Sequence, residues 1–151
     1  MMDNTPVQQL PPSVQRVIDY FQALGREEKM QALVAYSKKL EALPERLRNV
    51  DRNSFAVPEC QTHVDLFPEY HDGKVHYYAD LNARQSPTVA AFLAILFQAI
   101  NEQPPSTVLA IPDDFVRRVM DGIGLAGREV GLTAMLARVK RFAEHVAPRA
   151  A

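Results

Sequence analysis

The sequence predicts an α+β fold, a small antiparallel sheet with helices packed on one face, and three observations carry that prediction. Apolar and polar residues alternate on both sides of the turn signal His71-Asp72-Gly73-Lys74, the period-two pattern of a β-hairpin. Segments with apolar residues at helical spacing lie before and after it. The segment 88–100 is apolar on nearly every side, as suits a helix buried against both the sheet and other helices. A sheet this small is stable only with helices over one face.

In order along the chain, residues 1–12 are polar, end in Pro11-Pro12 and read as a mobile lead-in; one domain over 13–147 and a tail, 148–151, follow. Ser13 is placed to cap a helix in which Val14, Val17, Ile18, Phe21 and Leu24 recur until Gly25 stops it. Arg26-Glu27-Glu28-Lys29 opens a second helix with Met30, Leu33, Val34, Ser37 and Leu40 inward and Pro44 as its end. The segment 45–53, with Arg46, Arg48 and Arg52, reads as a solvated connector rather than a docking patch. From Cys60 onward, Cys60, Thr62, Val64 and Leu66 share one parity and Gln61, His63, Asp65 and Phe67 the other, so a half-buried strand is expected to start at Cys60. Val75, Tyr77, Ala79 and Leu81 alternate on the far arm, and residues 54–57 are a candidate third strand. Ser86-Pro87 is a cap and first-turn proline for the buried helix, which Pro104-Pro105 breaks. Residues 107–111 are ambiguous. A short helix with Phe115, Val116, Val119 and Met120 inward follows, then a last one from about 128 to 146 carrying Leu132, Met135, Leu136, Val139, Phe142 and Val146.

Composition narrows the function. At 151 residues, 47% hydrophobic and 23% charged, the chain suits one globular domain. A formal charge of −1 and the lack of a basic stripe argue against nucleic acid, and no apolar run is long enough to span a membrane. Met1-Met2-Asp3-Asn4 lacks the basic and apolar regions of a signal peptide, and one cysteine suits a reducing compartment, so a cytoplasmic protein is expected.

That cysteine, Cys60, sits in Val57-Pro58-Glu59-Cys60-Gln61-Thr62. A lone cysteine is commonly a small buried hydrophobe. Here Pro58 makes the approach to Cys60 an extended loop, and a thiol at a loop-to-strand junction is sheltered yet reachable. A cysteine hydrolase, a third and weaker reading, would need a base: His63 is on the opposite parity, His71 in the turn and His145 near the tail, so only the fold could bring a histidine, His76, to Cys60. His63, Asp65, His76 and Asp80 match no metal-ligand pattern, and no metal site is expected. Sulfur transfer needs one cysteine only: its thiolate attacks the outer sulfur of a persulfide. A cation and a helix N-terminus would assist, and Arg128 supplies both if its turn faces Cys60; an ion pair with Glu129 is the competing reading. Glu59, an adjacent carboxylate, works against the thiolate. The reading from another class is a docking or scaffold module in which Cys60 is structural.

The box around Cys60, the hairpin after it, Ser86-Pro87-Thr88-Val89 and Arg128-Glu129-Val130-Gly131-Leu132 resemble the SufE family, over about 14–142 and in the same order. The resemblance implies a fold similar to the IscU-type scaffold proteins, with the cysteine on a loop tip that turns into a hydrophobic cavity. It implies a sulfur carrier that accepts persulfide sulfur from a SufS-type cysteine desulfurase, stimulates it and delivers sulfur to the SufBCD scaffold for iron–sulfur cluster assembly. Such a protein is a partner of the desulfurase rather than a free-standing enzyme, and no cofactor is implied. Cys60 matches the accepting cysteine, Gln61 its motif neighbour and Arg128 the arginine of the later motif. The chain departs from the family where Glu59 replaces a common glycine and where Ser86-Pro87 opens a helix that often begins with an acid.

Overall fold

The structure, a computed structural model, describes residues 10–60, 62–124 and 128–147. Helix α1 (Pro12–Ala23) opens with proline in its first turn, where a missing N–H costs nothing, and buries Val14, Val17, Ile18 and Phe21. Ser13, expected as its cap, instead donates its hydroxyl to Ala99 O at 2.6 Å. After Gly25, whose N–H donates to the Glu28 carboxylate at 3.2 Å, α2 spans Arg26–Tyr36.

Helix α2 corrects the expected inner stripe. Leu33 and Lys29 are buried, whereas Met30 and Val34 are 47% and 57% exposed. The Lys29 stem covers apolar surface while its ammonium donates to Asp121 O at 2.8 Å, which turns the helix away from the pattern the hydrophobic residues alone suggest. The helix also stops at Tyr36, short of Leu40, where Ser37 Oγ donates back to Val34 O at 2.7 Å.

Strands β1 (Asp65–His71) and β2 (Lys74–Asp80) form an antiparallel hairpin in register from Asp65↔Asp80 to His71↔Lys74. Asp72 and Gly73 turn it with φ of 54° and 78°, the paired positive values that match strand twist in a two-residue turn. Strand β2 buries Val75, Tyr77 and Ala79 as expected. Strand β1 does not follow the expected pattern: it begins at Asp65 rather than Cys60, and Asp65 and Phe67, on the parity read as outward, are buried. The reason is the chain before it. Leu66 N–H donates to Phe55 O at 2.8 Å and Val57 N–H to Val64 O at 2.9 Å, so residues 54–57 run beside β1, making one bridge instead of a full strand.

The connector is solvated as expected, with Glu45, Arg46, Arg48, Asn49, Asp51 and Asn53 exposed and no residue of its helix buried. Two of its arginines nevertheless pair with the hairpin, where opposite charge and aromatic surface lie within their reach. A short helix α3 (Glu45–Arg48) places Arg46 on Glu69 at 2.5 Å; Arg52 bridges Asp65 (3.2 Å) and Asp80, which face each other at the open end of the hairpin. Arg52 and the Phe55 ring cover Phe67, at 5.7 and 4.8 Å from its ring centroid.

Helix α4 (Pro87–Ile100) is buried on nearly all sides and packs against α1, α2 and β2. Tyr77 joins the layers: it stacks on Phe97, meets Phe142 edge-on and donates its hydroxyl to Val139 O at 2.8 Å. Burial pushes that hydroxyl above the usual tyrosine range, so it remains a donor. Helix α5 (Pro105–Leu109) resolves the ambiguous 107–111 run, α6 (Phe115–Met120) buries the four residues expected of it, and α7 (Glu129–Val146) closes the fold against β1, α5 and α6. Among the described residues no helix is long and apolar enough to cross a membrane.

Candidate functional site

Cys60 is the fourth residue of a turn that begins at Val57, closed by Cys60 N–H donating to Val57 O at 3.3 Å. Pro58, with fixed φ and no N–H to leave unpaired, suits the second position of such a turn. The Val57–Val64 hydrogen bond shuts the neck of the loop. The thiol therefore sits at a loop tip, half-buried, rather than at the first position of a strand. The expected alternation is absent here: Val64 and Leu66 are buried as that parity requires, but Asp65 and Phe67 between and after them are buried too.

The wall behind Cys60 is the first turn of α7. A Cβ placed on Gly131 would stand 3.3 Å from Cys60 Cα and 3.4 Å from Sγ, so the helix approaches this closely because that residue has no side chain. The first-turn N–H groups of a helix lack acceptors within it, and the positive end of its dipole lies there; the close approach of Gly131 sets Cys60 beside that turn. The turn bearing Arg128 thus does face Cys60. Arg128 itself precedes α7, is exposed, and lines a groove with Met30, Val34, Pro87, Thr88 and Ile123. It has no ion-pair partner among the described residues; Glu129, its expected partner, pairs instead with Arg117 at 2.7 Å.

On the opposite side of the loop, the Thr62 and Ser86 hydroxyls share a hydrogen bond. Ser86 is buried and makes no side-chain cap to α4, contrary to the expectation from Ser86-Pro87; its hydroxyl holds the Cys60 loop instead. Glu59 is exposed and has no ion-pair partner among the described residues, while Gln61 lies outside them.

The histidines are engaged elsewhere. His76 has Nε2 2.7 Å from Glu41 and Nδ1 2.8 Å from Glu102, so both ring nitrogens are occupied. His63 Nε2 lies 3.0 Å from Asp65 Oδ2, His71 is exposed at the end of β1, and His145 is in the last turn of α7, about 21 Å along the helix from Gly131. Among the described residues no histidine hydrogen-bonds Cys60, and no cluster of His, Cys, Asp and Glu is arranged to hold a metal. The site therefore supplies one sheltered thiol beside the first turn of a helix and, among the described residues, no histidine bonded to it, a set suited to thiol exchange rather than to base-assisted hydrolysis. Sequence reasoning assigned no role to Gly131 or to the Thr62–Ser86 pair. The glycine of Arg128-x-x-Gly131 was the available signal, because a helix-interior glycine is costly unless close approach requires it.

The SufE family, described as an Fe-S metabolism associated domain, matches residues 15–143. An uncharacterised SufE-like protein of Mycobacterium tuberculosis, found in two strains, is 33% identical over 140 residues, 87% of this chain and 92% of the relative. An uncharacterised SufE-like protein of Synechocystis is 29% identical over 108 residues, 71% of this chain and 64% of its own length. The solution structure of a hypothetical protein from Thermus thermophilus superposes with a TM-score of 0.72 at 26% identity, covering 91% of this chain and 97% of that one. With the Cys60 turn, the hairpin and the Arg128 helix start all inside the matched residues, the chain belongs to the SufE family.

Proposed function

We propose that this protein is a sulfur carrier in which Cys60 accepts sulfur from a SufS-type cysteine desulfurase, stimulates that enzyme, and delivers the sulfur to the SufBCD scaffold, within the cytoplasm. The observation that carries the reading is the close fit of Cys60 against Gly131, which shelters a single thiol against the first turn of α7. In the transfer, the Cys60 thiolate attacks the outer sulfur of the donor persulfide. A new sulfur–sulfur bond forms at Cys60, the donor's bond breaks, and the donor leaves as a thiolate that takes up the proton Cys60 lost. No oxidant or reductant is consumed. The half-buried turn then shields the product persulfide, and the exposed Arg128, Met30 and Val34, which line one groove, offer a mixed cationic and apolar surface for the desulfurase. Glu59 and Gln61, the neighbours of Cys60 in the sequence, are assigned to partner binding.

The test is intact mass after incubation with a cysteine desulfurase and free cysteine. A gain of sulfur that mild reduction removes, and that Cys60→Ser abolishes without changing the melting temperature, is expected. Sulfur acceptance by the serine variant, or no gain while Cys60 still alkylates, would overturn the proposal and leave a docking module with a structural cysteine.

A further inference from the structure

A second cavity lies on the opposite half of α7 from Cys60. It has a volume of about 360 Å³, within the range of small-molecule sites, and opens to solvent between β1, residues 54–55 and the C-terminal turns of the helix. Leu66, Tyr77 and Val139 form its buried floor, and Phe55, Pro68 and Phe142 its half-buried walls. The floor holds no free polar group, because the Tyr77 hydroxyl already donates to Val139 O. All the charge is at the rim. Arg138, Arg141 and His145 recur at helical spacing along one stripe of α7 and line the opening, with no acidic residue among the lining side chains. None of the three has an ion-pair partner among the described residues, although the chain as a whole is slightly acidic.

An apolar floor bordered along one side by the unpaired guanidinium groups of Arg138 and Arg141 selects a particular ligand chemistry. A neutral apolar molecule would leave the cations unused, and a small inorganic anion would leave the floor exposed to water. We propose that this cavity binds a small amphipathic carboxylate, its hydrocarbon part on Leu66, Tyr77 and Val139 and its anionic head between Arg138 and Arg141. The site is independent of sulfur transfer: Val139 is about 12 Å along the helix from Gly131.

Decanoate, decanol and decyltrimethylammonium, each below its micelle concentration, are the probes, followed by amide chemical shifts of the full chain. Decanoate is expected to shift Tyr77, Val139 and Phe142 together and to bind roughly two- to thirty-fold more tightly than decanol, the range two partly exposed charge pairs supply; the ammonium should bind most weakly. The variant R138Q/R141Q, with both changes at positions reached by solvent, should bring decanoate down to the affinity of decanol while keeping the spectrum of the folded protein. Ser54→Phe, which fills the mouth from an exposed position, should weaken both ligands. Equal affinity for decanoate and decanol, shifts scattered over the surface, or undiminished decanoate binding by R138Q/R141Q or by Ser54→Phe would each overturn the proposal.

Discussion

The hairpin 65–80 and the Cys60 loop are consecutive in the chain, and they are held in opposite ways. The hairpin has a ladder from Asp65↔Asp80 to His71↔Lys74, an arginine across its open end and Tyr77 locked between α4 and α7. The loop has two backbone hydrogen bonds, one hydroxyl pair and a van der Waals contact with Gly131. The difference separates two tasks. The first region supplies rigidity, and the second keeps a thiol close to a helix N-terminus by contacts weak enough to be exchanged for those of a partner. Substitutions in the hairpin should therefore act on stability, and substitutions around the loop on thiol reactivity.

The largest effect is expected at Tyr77. Tyr77→Ala removes a fully buried ring in contact with Phe97 and Phe142 together with its hydroxyl's bond to Val139 O, a loss of about 3–5 kcal/mol by analogy with other buried aromatics. Urea unfolding measures it, and a loss below about 1 kcal/mol would remove the hairpin's claim to be the rigid region. A smaller loss, about 1–3 kcal/mol, is expected for Asp65→Ala, which takes from Arg52 and His63 their shared buried acceptor. Arg52 still has Asp80, which keeps the loss at the lower end.

The same contrast accounts for what could be read from the sequence. Local patterns sufficed for α4, α6, α7, the hairpin turn and the buried face of β2, because in each the burying partner is implied by the period of the segment itself. They failed where a distant residue decides the outcome. Phe67 is buried because Arg52 and Phe55 fold over it, α2 is turned by the bond from Lys29 to Asp121, and Ser13 and Ser86 spend their hydroxyls on other elements instead of on their own helices. The candidate site was legible in its parts, Cys60 and the Arg128 motif, through resemblance to a family. Its construction was not, since the contact between Cys60 and Gly131 joins residues far apart in the chain and leaves no periodic trace.

Gly131→Ala tests the loop side directly. A glycine-to-alanine change inside a helix gains up to about 1 kcal/mol, and here the added methyl would press on Cys60 Cα at 3.3 Å, so the two effects oppose and net stability should change little. The strain is relieved by moving the loop. If it shifts the balance towards the undocked loop by about 1 kcal/mol, Cys60 alkylation by iodoacetamide should rise about five-fold. An unchanged rate alongside unchanged stability would mean that the contact with α7 does not set the accessibility of the thiol.

The smallest effect is expected at Thr62. Thr62→Val preserves shape and removes the hydroxyl that Ser86 uses, leaving a buried hydroxyl unpaired at a cost of roughly 1 kcal/mol, concentrated in the loop because nothing else in the hairpin depends on that bond. Alkylation of Cys60 should rise by a few-fold, less than in Gly131→Ala if the helix contact is the stronger hold. The double variant Thr62→Val/Ser86→Ala discriminates further. Removing both hydroxyls leaves no orphaned group, so its unfolding midpoint should return towards that of the unaltered protein while the thiol stays as reactive as in the single variant. Recovery of stability without recovery of protection would establish that the hydroxyl pair acts on the position of the loop and not on the fold beneath it. Recovery of both would show that Thr62 matters only as a buried polar group, and the contrast between loop and hairpin would then rest on Gly131 alone.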